Sequence, residues 1–319
     1  MSEPVIQVEK PGLLTTIQDA GRAGYQQYGI VVSGAMDPFA VRAANLLAGN
    51  KETEAALEVT MMGPKLKFLK DTVIAIGGAD LSASVDGREI PPWKSVLVKK
   101  DEVLSFGVPK SGVRAYLAVA GGINSEPLLG SRSTYLKAGM GGIEGRELYK
   151  GDILEGGVPG APLKNLAGRV LKADMLPDYQ GGRRIRVVPG PDDWAFTDEG
   201  TEAFYSGEYE LTRDVDRMGY RLSGPVVEHK DKADILSDAV TMGTVQVPSS
   251  GQPIILLADR QTSGGYTRIG TVISVDLPLL AQMHSGSTIM FERISVEKAQ
   301  ELYRNREKAL KKLALAAGI

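Results

Sequence analysis

The sequence predicts a mainly β protein built as two similar barrel or sandwich domains in tandem, with few helices. Three observations predict it. The phrase "DAGRAGYQQYG", Asp19 to Gly29, returns 195 residues later as "DVDRMGYRLSG", Asp214 to Gly224, with Asp, Arg, Gly, Tyr and the closing Gly in register. A Val-Val pair, Val31-Val32 or Val226-Val227, follows each copy after one residue. Such an offset is about one domain long, far beyond the period of a solenoid. Most of the remaining text consists of short β-branched runs broken by Gly, Pro and Asp. Finally, 319 residues with 43% hydrophobic content leave room for two buried cores.

Taken in order, Val5 to Val8, Thr72 to Ile76, Asp80 to Val85, Ser95 to Val98, Val103 to Phe106 and Arg114 to Val119 read as strands of the first domain. Asp86-Gly87 stands where a tight hairpin needs positive φ. One helix opens on Asp37 as N-cap and Pro38 at its first position, carries Ala40, Ala44 and Leu47 on one face, and stops at Gly49. Between Glu155 and Gly182 the text loses β-branched residues and gains Gly and Pro, which marks a junction. The expected organisation is a barrel over 1–155, a second over 183–294 and a helix over 295–319. A helix is expected from about Asp192 to Phe204. The second set of strands reads Arg184 to Val188, Tyr209 to Thr212, Val245 to Val247, Ile254 to Leu257, Thr271 to Val275 and Thr288 to Glu292. Ser295 caps the last helix, whose apolar face is Val296, Ala299, Tyr303, Leu310 and Leu313.

Composition narrows the function. With 37 Lys+Arg against 39 Asp+Glu, and no basic block longer than Arg183-Arg184, nucleic acid and anionic membranes are not expected partners. Zero cysteines exclude a disulfide framework, a thiol nucleophile and a thiolate zinc site, and agree with a reducing cytoplasm. The two histidines, His229 and His284, are not at metal-ligand spacing, and no metal site is expected from them. The first residues lack the pattern of a signal peptide and no apolar run reaches spanning length, so the expectation is a cytoplasmic, soluble protein.

Chemistry must then rest on carboxylates, Arg, Lys, Gln, Ser, Thr and backbone amides. The repeated phrase, with Asp19, Arg22 and Tyr25 among glycines, is either a turn leading into a strand, in which Asp19 and Arg22 pair with each other or with backbone, or a loop that holds a carboxylate or phosphate. "LGSRSTYLKAGMGG", Leu129 to Gly142, joins Arg132 and Lys137 to a run of glycines, as an anion-binding nest or as a flexible loop. The densest polar constellation lies within "VQVPSSGQPIILLADRQTSGGYTRIG". There Gln246 stands in an apolar strand, and Asp259, Arg260, Gln261 and Thr262 end another just before Gly264-Gly265. Four polar residues there are costly to bury unless paired, which leaves a hydrogen-bond network or a ligand site.

The strings "TIQDAGRAGYQQYGIVVSGAMDPFAVRAANLLAGN", "AALEVTMMGP", "RAYLAVAGG", "LGSRSTY" and "QVPSSGQPIILLADRQTSGGYTRIGTVISVDLPLLAQ" together resemble the allophanate-hydrolase-subunit-2, or biotin-dependent carboxyltransferase-like, family. The likeness runs from about Leu14 to Gln282 and is nearest to the C subunits of bacterial 5-oxoprolinases, also described as antagonists of a sporulation-kinase inhibitor. It implies two cyclophilin-like β-barrels in one chain, so that the phrase occurs twice because the barrel does. It further implies a B-type subunit, itself kinase-inhibitor-like, and an A-type subunit as partners, with ATP and Mg2+ serving the opening of a small substrate, 5-oxo-L-proline, to L-glutamate. The Met-Lys-Met signature of a biotin carrier is missing, so no biotin is attached to this chain. Two alternatives accompany that reading, a regulatory protein that sequesters the B-type partner and a urea-carboxylase-like carboxyltransferase component. Located by these motifs, Asp259, Arg260 and Gln261 are the catalytic candidates, with Asp259 as base or Mg2+ ligand. Arg22, Arg132, Lys137, Gln246 and Thr262 are candidates for holding substrate or phosphate.

Overall fold

The β-branched runs pair as strands. The computed structural model describes residues 2–179 and 184–319; the expected start of the second barrel, at residue 183, lies outside them. The chain divides into two compact units, one of Met1–Arg22, Ser33–Pro177 and Lys308–Ile319, the other of Ala23–Val32 and Asp178–Glu307.

The strands of the first unit are β1 (Glu3–Lys10), β2 (Leu14–Gln18), β3 (Ala56–Thr60), β4 (Lys65–Phe68), β5 (Thr72–Asp80), β6 (Ser84–Val85), β7 (Arg88–Glu89), β8 (Ser95–Val98), β9 (Val103–Ser105), β10 (Ser111–Val119), β11 (Ile123–Asn124) and β12 (Ile153–Gly156). They form two sheets, in the orders β11-β12-β1-β4-β9-β6-β7 and β2-β3-β10-β5-β8. Both sheets face one core, with Val5, Ile6, Leu66, Phe68 and Leu104 on one side and Ile17, Leu57, Ile74 and Leu117 on the other. The expected strand Asp80 to Val85 is broken after Asp80, whose Oδ1 accepts from the Ser82 amide at 2.9 Å. Asp86 and Gly87 take φ of 47° and 80°, the two positive values a tight hairpin between β6 and β7 needs.

Helix α1 (Pro38–Ala48) covers the other face of the second sheet, where Gly77 of β5 leaves room for it: a Cβ there would meet the Ala40 carbonyl at 2.8 Å. On that face the buried Glu58 accepts from the Met36 amide at 2.9 Å and from the Tyr116 hydroxyl at 2.8 Å. Tyr116 in turn accepts from the Asp37 amide at 2.8 Å, and Asp37 caps the helix by accepting from the Ala40 amide at 2.8 Å. Burial first, then the Glu58 charge, raises Tyr116 well above the ordinary phenol range, so it remains a donor. Helix α2 (Leu163–Leu166) closes a small apolar cluster of Val73, Ala120 and Leu166.

The second unit contains β13 (Arg184–Pro189), β14 (Glu208–Val215), β15 (Gly219–Ser223), β16 (Asp234–Ala239), β17 (Thr244–Val247), β18 (Ile254–Leu256), β19 (Ser263–Val272) and β20 (Thr288–Arg293). The order β13-β20-β14-β15-β18-β17-β19 returns to β13 through the β13–β19 pairing, closing a seven-stranded barrel, with β16 added on β19. Only β13 and β20 run parallel among the described strands. Tyr209, Leu211, Tyr220, Val245, Ile255 and Phe291 fill the interior. The helix expected over 192–204 is two pieces, a 3-10 turn at Asp193–Ala195 and α3 (Asp198–Ser206). Thr197 interrupts them because its hydroxyl accepts from the Gly200 amide at 2.9 Å, which makes it an N-cap rather than a helical residue. The strand expected at Thr271 to Val275 instead ends at Val272 and begins at Ser263, so Gly264-Gly265 are strand residues.

Short helix α4 (Leu277–Ala281) follows Asp276, and α5 (Val296–Ala316) ends the fold. Ser295 caps α5 through the Lys298 amide at 3.2 Å, Leu310 is fully buried, and Arg306 donates to the Ser274 carbonyl at 2.6 Å. No helix among the described residues is long and apolar enough to cross a membrane.

Candidate functional site

The two copies of the repeated phrase form different local structures. Asp19 lies just past β2, where its Oδ1 accepts from the Gly21 amide at 2.8 Å, the Ser131 hydroxyl at 2.6 Å and the Ser133 hydroxyl at 2.5 Å. Its Oδ2 accepts from the Arg132 amide at 2.6 Å. Arg22, 1% exposed, donates to the Ser133 carbonyl. The first phrase is thus bonded through Asp19 and Arg22 to the segment Leu129–Thr134. Arg132 turns its guanidinium to the Ser125 carbonyl at 2.9 Å and to Asn124 at 3.1 Å. Lys137 sits in an exposed 3-10 turn, Leu136–Ala138. The glycines beside them serve close packing: a Cβ on Gly141 would lie 2.1 Å from the Ser133 carbonyl. The amides of Gly139, Gly142 and Gly145 all donate to backbone carbonyls, which leaves those three donors unavailable for a nest.

In the second unit the phrase makes the turn from β14 into β15. Asp216 accepts from the Met218 and Gly219 amides at 2.7 and 3.1 Å, and Arg217 is thereby projected inward. Its guanidinium forms a fork on Asp259, Nε to Oδ2 and Nη2 to Oδ1, both at 2.9 Å, and its carbonyl accepts from the Asp259 amide at 2.8 Å. Both side chains are buried. Asp259 and Arg260 occupy the turn after β18, within "LADRQT", Leu257 to Thr262, which repeats the Leu-x-x-Arg-x-Thr pattern of "LGSRST", Leu129 to Thr134. In each unit, then, the arginine of the phrase grips a Leu-x-x-Arg-x-Thr segment. Sequence inspection missed Arg217; the echo between these two segments was the signal that would have found it.

Arg260 differs from the arginines around it. It is 8% exposed, and its bonds are two long ones, Nε to the Val240 carbonyl at 3.4 Å and Nη1 to the Leu257 carbonyl at 3.3 Å. Among the described residues no carboxylate lies within ion-pairing distance of it. Burial pulls it down to about 10, with the Asp259 charge acting in the opposite direction. Arg268, by contrast, is saturated: it donates to Asp192 at 2.6 Å, to Asp238 at 2.9 Å and to the Ala239 carbonyl at 3.0 Å. Those bonds, the Asp192 one foremost, raise it above the ordinary guanidinium value.

The remaining candidates divide. Gln261 and Thr262 are half-buried beside Arg260, and the Thr262 carbonyl accepts from the Val240 amide at 3.2 Å. Gln246 is buried and donates to the Tyr266 carbonyl at 3.2 Å, directly under Gly264, where a Cβ would come 2.5 Å from its Nε2. It ties strand to strand. Asp259, Arg260, Gln261 and Thr262 are brought together in the second unit, while Arg22, Arg132 and Lys137 belong to the first. The donor set does not fit Mg2+: both Asp259 oxygens lie in the Arg217 fork, and among the described residues no group of three or more His, Asp or Glu is placed to hold a metal. The arrangement suits an anion instead, a carboxylate or phosphate completing Arg260.

The carboxyltransferase domain, subdomain A and B, matches residues 28–293. The chain belongs to that family. It is 37% identical over 310 residues to the 5-oxoprolinase C subunit of Escherichia coli, covering 97% of this chain and 98% of the relative. The protein of the same name from Haemophilus influenzae is 39% identical over 302 residues, covering 92% of each. Among solved structures, the crystal structure of the Kluyveromyces lactis urea amidolyase superposes with a TM-score of 0.91 at 30% identity, over 98% of this chain and 20% of that one. The chain is mainly β with few helices, as the sequence predicted, with a closed seven-stranded barrel in the second unit and two sheets about one core in the first.

Proposed function

We propose that this chain is one component of an ATP-dependent 5-oxoprolinase, which opens the lactam of 5-oxo-L-proline to L-glutamate with hydrolysis of ATP, together with a B-type and an A-type subunit. Near full-length likeness to two proteins named as the C subunit of 5-oxoprolinase supports the assignment. The observation that carries a chemical role for this chain is Arg260, a buried guanidinium with no carboxylate partner among the described residues. A lactam carbonyl is a poor electrophile because its amide is resonance-stabilised; phosphorylation of its oxygen by ATP activates the carbon to attack by water, the ring C–N bond then breaks as the amine leaves, and hydrolysis of the acyl phosphate so formed releases phosphate and glutamate. Protein side chains then have to fix a small acidic substrate and balance negative charge, which is the work of preorganised cations. Arg260 does this for the substrate carboxylate or for phosphate, in a site dry enough to make the contact strong. Gln261 and Thr262, beside it, read the amide and the remaining oxygens.

The test is Arg260→Ala in the system reconstituted from all subunits. Turnover is expected to fall roughly 30- to 150-fold with the complex still formed, since a charge-assisted contact in a closed site is worth about 2–3 kcal/mol. Normal turnover in a variant that merely melts earlier would make Arg260 structural.

A further inference from the structure

Two buried arginines, Arg217 and Arg260, flank one buried carboxylate, Asp259, and it is Arg217 that holds it in a fork. Asp259 precedes Arg260 in the chain, and its charge is the one that Arg260 feels across the turn. The fork from Arg217 engages both Asp259 oxygens at 2.9 Å, and the backbone bond from Asp259 to the Arg217 carbonyl at 2.8 Å locks the two loops in that register. A carboxylate so held has no reason to turn toward Arg260.

We infer that Arg217 is a positioning residue: by claiming both oxygens of Asp259 it denies that carboxylate to Arg260 and keeps the Arg260 guanidinium open to an anionic ligand. This rests on the reading above that Arg260 binds an anion. The first unit contrasts with it. There the segment Leu129–Thr134 has Ser131 where Leu257–Thr262 has Asp259, Arg22 bonds a carbonyl, and Arg132 is taken up by Ser125 and Asn124. The same pair of motifs is used to build structure in one unit and to set aside a cation in the other.

Removing the Arg217 fork leaves the buried Asp259 without that partner, and the cation next to it that can neutralise it is Arg260. Anion binding is then lost although Arg217 never touches the ligand. Replacing Asp259 as well removes the competitor and restores the site.

Calorimetric titration of the full chain at low salt with inorganic phosphate and, separately, with 5-oxo-L-proline tests this. Arg217→Gln is expected to weaken binding of the preferred anion by about tenfold or more, Asp259→Asn alone to bind no worse than the parent, and the Arg217→Gln/Asp259→Asn double variant to regain most of the loss. Parental affinity in Arg217→Gln overturns the inference, as does a folded double variant that stays weak. Should Arg217→Gln fail to fold, Arg217→Lys, which keeps the charge but cannot engage both Asp259 oxygens as a fork, takes its place: weakened binding that Asp259→Asn rescues supports the positioning role, and parental affinity overturns it. Failure of the underlying reading looks different, because Arg260→Ala would then bind both anions as the parent does.

Discussion

Asp19 shows how a polar residue inside a glycine-rich phrase can be wholly structural. Its carboxylate accepts four hydrogen bonds, from Gly21, Ser131, Arg132 and Ser133, and so joins the end of β2 to a segment more than a hundred residues away. Hydrogen bonds to a charged group are worth about 1.5–3 kcal/mol each and do not add fully, so Asp19→Ala is expected to cost roughly 3 kcal/mol, measured by denaturant unfolding. His229 offers a second test. Its Nε2 lies 2.9 Å from the Thr267 hydroxyl, which itself donates to the Val247 carbonyl at 3.2 Å. Burial lowers its value from 6.5, against the Val247 carbonyl and the Asp234 charge. The unfolded chain therefore takes up the ring proton first as pH falls, and stability declines below about pH 6.5. His229→Gln is expected to flatten the fall in urea midpoint between about pH 7 and pH 5; an unchanged slope would place the titration elsewhere.

At the level of elements, helix α1 rests on its entry. Asp37→Ala removes the cap and is expected to lower stability by about 1–2 kcal/mol, read as a shift in melting temperature. A loss within error would mean that the Glu58 and Tyr116 bonds to the Met36 and Asp37 amides hold the entry alone. This helix was fully legible from Asp37, Pro38 and Gly49, because caps are local chemistry. The break at Thr197 was not, since Thr serves equally in a helix and as its cap, and only the chain path toward Glu228, whose carbonyl accepts the Thr197 amide at 3.0 Å, decides between them. The strand β19 was misplaced for a similar reason: Gly264 reads as a turn, yet it is glycine because Gln246 packs beneath it. Helix α5 packs on its own chain through Leu310 and Arg306. A chain ending at Ile294 is therefore expected to melt earlier while still binding the B-type partner; unchanged melting with lost binding would make α5 an assembly element.

For the whole molecule, strand grammar and a repeated phrase were enough to foresee a mainly β chain of two units, each a barrel or a sandwich; that the second closes into a barrel depends on the long-range pairing of β13 with β19. They could not show that the segment Ala23–Val32 groups with the second unit, because nothing local marks it. The site was half legible. Four adjacent polar residues announced a network or a ligand site, but which arginine pairs with Asp259 depends on a turn 42 residues earlier in the chain. The decisive measurement is glutamate formation from 5-oxo-L-proline and ATP by the purified chain alone, by its B-type and A-type partners without it, and by all three mixed. Turnover is expected only in the full mixture; substantial turnover by this chain alone, or by the partners without it, would contradict its place in the enzyme.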